Sequence, residues 1–167
     1  PVFLDWAPWN HTASGNKVFN IAIYNGGSYY IDRGKPTPAH FAQTIANLRE
    51  ISPTWAFNVP AGFEMLVNAM REDKVLRDTY FRRLKLMMYA GAGLAQHTWN
   101  ALGELSEEAT GTRVLMTTGI GSTETAPFSL YCTDPQDAPG NVGIPAQGVT
   151  VKLVPYAGKY ELRLKGP

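Results

Sequence analysis

Residues 84–90, Leu-Lys-Leu-Met-Met-Tyr-Ala, are nearly all apolar, as a strand must be when helices cover both faces of a parallel sheet. The segments around this run repeat the arrangement it implies. Residues 14–24 predict a helix, with Val18, Phe19 and Ala22 at helical spacing behind a Ser14 cap and Gly26-Gly27 as the stop. Residues 28–31 are short and β-prone, and Phe41, Ile45 and Leu48 then share a helical face that Pro53 ends. Residues 54–59 read as a strand, and Phe63, Leu66, Val67 and Met70 mark a second helical face. An amphipathic stretch at 75–81 precedes the apolar run. A helix over 97–109 stops at Gly111, and 114–118 is the next strand.

Strand and helix alternate, which predicts an α/β fold: a mostly parallel sheet with flanking helices, right-handed crossovers, and ligand loops at the carboxyl ends of the strands. Past Gly140 the pattern changes. Residues 149–155 and 160–164, joined by Ala157-Gly158, predict an antiparallel β-hairpin in a different layer. The Asp, Pro and Gly cluster at 133–140 is the one linker-like stretch. We therefore expect an α/β subdomain over 1–139 and the start of a β-rich subdomain over 140–167.

Composition limits the partners. The chain is 44% hydrophobic and 17% charged over 167 residues, enough for one domain with a real core. Fifteen basic residues against fourteen acidic leave a formal charge of +1, too little to draw a nucleic acid or an anionic membrane. No apolar run reaches the about 18 residues a membrane helix needs. Cys132 is the only cysteine, which excludes an intrachain disulfide and fits a reducing, cytoplasmic setting.

Two loops carry candidate chemistry. Thr118-Gly119-Ile120-Gly121-Ser122-Thr123-Glu124-Thr125 combines glycines, hydroxyls and one carboxylate. Glycine lets backbone approach a ligand, hydroxyls and amides can hold phosphate oxygens, and a carboxylate can take magnesium. The same residues also suit a glycine-rich turn with Ser122 or Thr123 as a cap. The loop at 89–94 places Gly91-Ala92-Gly93 after a strand, a flat surface for a planar ring or a site of close strand-to-helix packing.

The order of blocks resembles a known family. After the 118–125 loop come Gly140-Asn141-Val142-Gly143-Ile144-Pro145-Ala146-Gln147-Gly148 and Val151-Lys152-Leu153-Val154, then Glu161-Leu162-Arg163-Leu164-Lys165-Gly166-Pro167. Upstream lies Trp6-Ala7-Pro8-Trp9-Asn10-His11-Thr12. This order resembles the adenylate-forming family of acyl-CoA synthetases, luciferases and peptide-synthetase adenylation domains. The wording Trp9-Asn10-His11-Thr12, Tyr24-Asn25-Gly26-Gly27, Tyr30-Ile31-Asp32, Gly34-Lys35-Pro36 and Phe57-Asn58-Val59-Pro60 is similar to feruloyl-CoA synthases.

The resemblance implies ligation of a carboxylic acid, here a hydroxycinnamate, to coenzyme A at the expense of ATP, through an acyl-adenylate. It implies that Thr123 contacts ATP phosphates, that Glu124 binds magnesium, and that the 118–123 loop and Gly91, Ala92 and Gly93 cradle the nucleotide. His11 would line the acyl pocket or its entrance, although a histidine among Trp6, Trp9 and Asn10 also suits a hydrogen-bonded turn. Ile120 departs from the aromatic ring that many members place against the adenine.

The family's upstream phosphate loop, Thr-Gly-Asp block and carboxy-terminal lysine have no counterpart in the sequence. The chain begins at Pro1 and ends directly after a strand-like run. We therefore expect an internal piece of a larger enzyme, inert alone and prone to self-association through bared apolar surface. Two other readings stay open: a non-catalytic α/β module that binds a ligand or partner, and a synthetase for a fatty, benzoic or amino acid.

Overall fold

A computed structural model describes residues 1–166. Pro167, the last residue of the expected glycine-proline block, lies outside them.

The chain opens on a strand that the sequence reading did not anticipate. β1 (Val2–Asp5) pairs in parallel with β2 (Ser28–Ile31), from Val2 opposite Ser28 to Asp5 opposite Ile31. At four residues its inward-outward alternation is too short to register as a pattern, and only pairing with β2 makes it a strand. A π-helix (Thr12–Val18) running into α1 (Phe19–Tyr24) makes the crossover. The expected Ser14 cap is corrected here. The His11 Nδ1 accepts from the Ala13 amide at 3.1 Å, so the cap is His11. Ser14 lies inside the helix, fully buried, and donates to Asp5 Oδ2 at 2.6 Å.

The central sheet runs β3 (Trp55–Asn58), β4 (Leu86–Tyr89), β5 (Leu115–Ile120), β6 (Leu130–Cys132) and β7 (Ile144–Pro145) in spatial order. The first three strands are parallel, and the last two turn the far edge antiparallel. The expected parallel α/β core is there, but the sheet as a whole is mixed. Strand β5 also runs to Ile120, so Gly119 and Ile120 belong to the strand rather than to a loop.

One face of this sheet carries the main core. α2 (Phe41–Glu50) precedes β3. The helices α3 (Pro60–Glu72) and α4 (Lys74–Phe81) cross to β4, and α5 (Gln96–Thr110) crosses to β5. Phe63, Leu66, Met70, Leu76, Phe81, Met87 and Leu102 are almost wholly buried there, each contributing about 1.5–3 kcal/mol of burial. The helix ends are locally specified. Pro60 occupies the first turn of α3, Asp73 caps α4 by accepting from the Leu76 amide at 2.9 Å, and Gly111 ends α5 at φ 78°.

The other face is more thinly covered. Trp55 and Phe57 point there and pack against Phe3, Val18 and Ala22 of the first unit. Met87 and Tyr89 belong to the main core, whereas Met88 between them faces the opposite side.

Beyond Gly140, β7 stays in the central sheet. The predicted hairpin follows as a separate two-stranded sheet of β8 (Thr150–Tyr156) and β9 (Lys159–Lys165). Ala157 at φ 47° and Gly158 at φ 75° form its turn, the paired left-handed geometry that matches strand twist. No helix among the described residues is long and apolar enough to cross a membrane.

Candidate nucleotide and acyl site

Parallel strands in register bring their exits to one edge. Asn58 stands opposite Tyr89 and Tyr89 opposite Thr118, so the loops that follow β3, β4 and β5 leave from a single row. Polar contacts fasten that row. Asn58 is buried, and its Oδ1 accepts from Trp6 Nε1 at 3.1 Å and from the Val59 amide at 2.9 Å. Thr118 Oγ1 donates to the Tyr89 carbonyl at 2.8 Å. The Gly140 amide donates to the Tyr89 hydroxyl at 3.0 Å. Four segments distant in sequence thereby converge: the Trp6 strand exit, the 89–94 loop, the 118–125 loop and the approach to β7.

The 118–125 loop divides by role. The hydroxyls of Ser122 and Thr125 lie 2.9 Å apart, and each also accepts from the other residue's amide, at 3.3 and 3.1 Å. That mutual lock holds the turn and leaves Thr123 and Glu124 exposed at its tip. Ser122, expected at the phosphates, spends its hydroxyl on the turn. Thr118 is buried and spends its hydroxyl on Tyr89. Gly121 and Gly119 serve the chain's own return: a Cβ on Gly121 would stand 2.5 Å from the Ala126 and Pro127 carbonyl oxygens, and one on Gly119 2.5 Å from that of Leu130. Ile120 is 39% exposed at the strand end, open to pack against a planar ligand.

Gly91, Ala92 and Gly93 lie exposed beyond β4. Close packing does not account for both glycines, because nothing stands within 4 Å of a Cβ built on Gly93. Gly91 needs its φ of 88°, a left-handed conformation. His11 sits exposed at the π-helix start with Nδ1 engaged as the cap, consistent with the hydrogen-bonded-turn reading.

The donor set at Glu124 fits a magnesium ion carried in by nucleotide phosphates. It is one exposed carboxylate beside exposed Thr123, and among the described residues no group of three His, Cys, Asp or Glu side chains makes a protein-only cage.

Sequence reasoning missed Lys17. It is 4% exposed, and its Nζ lies 3.6 Å from the Phe57 ring centroid and 4.4 Å from that of Phe128. Burial pulls its pKa down to about 7, against the opposing pull of the Asp5 carboxylate. The signal was present in its spacing, three residues after Ser14 and four before Ile21, on the helix face that turns inward.

A family model described as AMP-binding enzyme matches residues 1–163. No curated protein matches the chain. Among solved structures, a malonyl-CoA ligase ternary product complex with methylmalonyl-CoA and AMP bound superposes with a TM-score of 0.70 at 24% identity, over 99% of this chain and 34% of that one. An anthranilate CoA ligase in complex with anthranoyl-AMP gives 0.72 at 24% identity, over 99% and 31%. A benzoate CoA ligase from Burkholderia xenovorans LB400 gives 0.72 at 22% identity, over 99% and 33%. These likenesses speak to the fold, and the chain spans about a third of each of those proteins.

Proposed function

Because the chain belongs to the AMP-binding enzyme family, we propose that it forms the central part of an ATP-dependent, AMP-forming acyl-CoA synthetase whose acid is a hydroxycinnamate, as in feruloyl-CoA synthases. The observation that carries this reading is the row Asn58, Tyr89 and Thr118, which sets a flat glycine shelf and a hydroxyl-carboxylate turn side by side at one sheet edge.

In the proposed reaction a carboxylate oxygen of the acid attacks the α-phosphorus of ATP, forming the acyl-phosphate bond as pyrophosphate leaves. The thiolate of coenzyme A then attacks the acyl carbon and displaces AMP. Magnesium, when bound, offsets charge on the phosphates. Thr123 donates to phosphate oxygens and Glu124 holds the metal from the tip of the locked turn. Gly91, Ala92 and Gly93 support one face of the adenine, and Ile120 packs beside it. His11 stands at the entrance to the acyl site. Placing these donors before the reaction is what stabilises charge as it develops.

The choice of hydroxycinnamate rests on the wording around His11 and Asn58 and on the aromatic rings of Trp55, Phe57 and Phe128 gathered around Lys17. The test is ferulate-dependent exchange of pyrophosphate into ATP, run on this chain and on a longer polypeptide containing it. Exchange that requires ferulate and disappears in Glu124→Gln supports the reading. Exchange driven by benzoate and not by ferulate keeps the ligase and removes the hydroxycinnamate, and no exchange with any acid removes the ligase.

A further inference from the structure

The sheet face opposite the main core carries two polar groups that the fold leaves without oxygen partners. Lys17 descends onto it from the π-helix, and among the described residues its Nζ has only the thioether of Met88, at 3.8 Å, as a hydrogen-bond acceptor. The nearest acid is already engaged: Asp5 accepts from Ser14 Oγ at 2.6 Å, from the Tyr29 hydroxyl at 2.7 Å and from the Ala7 amide at 3.0 Å. The second group is Thr117, 5% exposed, whose Oγ1 is buried with no partner among the described residues.

These two groups belong to one place. Phe57 stands opposite Met88 and Met88 opposite Thr117, so the three side chains form a row on one face of the sheet. Lys17 lies over the Phe57 and Met88 part of that row. The Phe128 ring, four residues past Glu124, has its centroid 4.4 Å from the same amine. The surround of the Lys17 amine and the Thr117 hydroxyl is therefore apolar and aromatic. Buried donors left without acceptors are costly, and a bound molecule that supplies an oxygen there removes that cost.

We propose that Lys17 and Thr117 are the specificity-determining residues that hold the phenolic oxygen of a hydroxylated aromatic acid, at the end remote from its reacting carboxylate. This rests on the acyl-CoA synthetase reading above. The aromatic rings of Phe57 and Phe128 select a planar body, and the flexible thioether of Met88 is the part that yields as the oxygen arrives. A site built to hydrogen-bond a hydroxyl rejects the analogue that lacks it, because its own polar groups then stay unpaired. An anionic oxygen beside Lys17 also favours the charged amine, so binding of the phenolate form takes up a proton at Lys17.

The test compares 4-hydroxycinnamate with cinnamate by calorimetry, and follows Lys17 in protein labelled with carbon-13 lysine, its Cε resonance assigned by its loss in Lys17→Met. The expected result is that 4-hydroxycinnamate binds at least about tenfold more tightly than cinnamate and moves the Lys17 resonance, while cinnamate does not move it. In Lys17→Met the ratio falls toward one. In Thr117→Val, which removes a hydroxyl that bonds to nothing and leaves the fold intact, the ratio falls partway. Equal binding of the two acids, a ratio that survives both substitutions, a silent Lys17 resonance, or no binding of either acid overturns the inference. If Lys17→Met does not fold, Lys17→Arg assigns the resonance by the same loss, and that resonance and Thr117→Val decide. A responsive Lys17 in a protein that exchanges no pyrophosphate would sink the ligase reading alone, and ferulate-dependent exchange with a silent Lys17 would sink this inference alone.

Discussion

The Thr118 hydroxyl donates to the Tyr89 carbonyl oxygen at 2.8 Å, a side-chain tie laid across two strands already paired at those same residues. It stands where the glycine shelf and the phosphate turn both leave the sheet. Thr118→Val keeps the shape and deletes the donor, so we expect a loss of about 1–3 kcal/mol in unfolding free energy, read as a lower urea midpoint with an unchanged slope.

Two glycines on the neighbouring loops should respond in opposite ways to the same substitution. Gly121→Ala forces a Cβ to 2.5 Å from two backbone carbonyl oxygens, and neither can retreat without opening the β5–β6 return. We expect a clear drop in thermal midpoint together with loss of nucleotide binding. Gly93→Ala meets nothing within 4 Å and should leave stability within about 0.5 kcal/mol while weakening adenine binding. Equal destabilisation by both would contradict the geometry.

Glu124 is exposed and makes no hydrogen bond among the described residues. Glu124→Gln should therefore leave the thermal midpoint unchanged and abolish the magnesium dependence of ATP binding and of pyrophosphate exchange. A change in stability comparable to that of Gly121→Ala would place Glu124 in the scaffold instead.

Lys17 gives the fold a pH dependence. Its folded pKa is about 7 against an ordinary 10.5, so between those values the unfolded chain holds the proton and the folded chain does not. Stability then rises with pH, at up to about 1.4 kcal/mol per pH unit. The penalty of the buried charge is fully present below pH 7. Tyr29, whose pKa burial raises, contributes the opposite slope only above the ordinary tyrosine range, so urea titrations from pH 7 to 9 isolate the lysine. Lys17→Met should flatten that slope, and a slope that persists would assign it to another group.

Much of this architecture was legible in residue order because the determinants are local. The apolar run around Met87 and Met88, the helical face of Phe63, the left-handed stop at Gly111 and the Ala157-Gly158 turn each depend on neighbours a few positions away. Periodicity and turn chemistry suffice to read them. That glycines, hydroxyls and a carboxylate fall in the loops after β4 and β5 was legible for the same reason.

The rest depended on contacts between distant segments. The return of β6 onto β5 gives Gly119 and Gly121 a role that residue order does not show, making room for the chain's own backbone. Ser14 faces Asp5 and not its own helix start because β1 lies beneath it, a strand that only its pairing with β2 defines. Residue order alone sets which loops carry hydroxyls, glycine and carboxylate, and where most helices and the strands β2 to β5, β8 and β9 lie, though not β1, β6 or β7. Only the tertiary structure decided that Asn58, Tyr89 and Thr118 stand in one row, and that Lys17 and Thr117 meet the same sheet face without oxygen partners, because strand register and burial are set by pairings that span tens of residues.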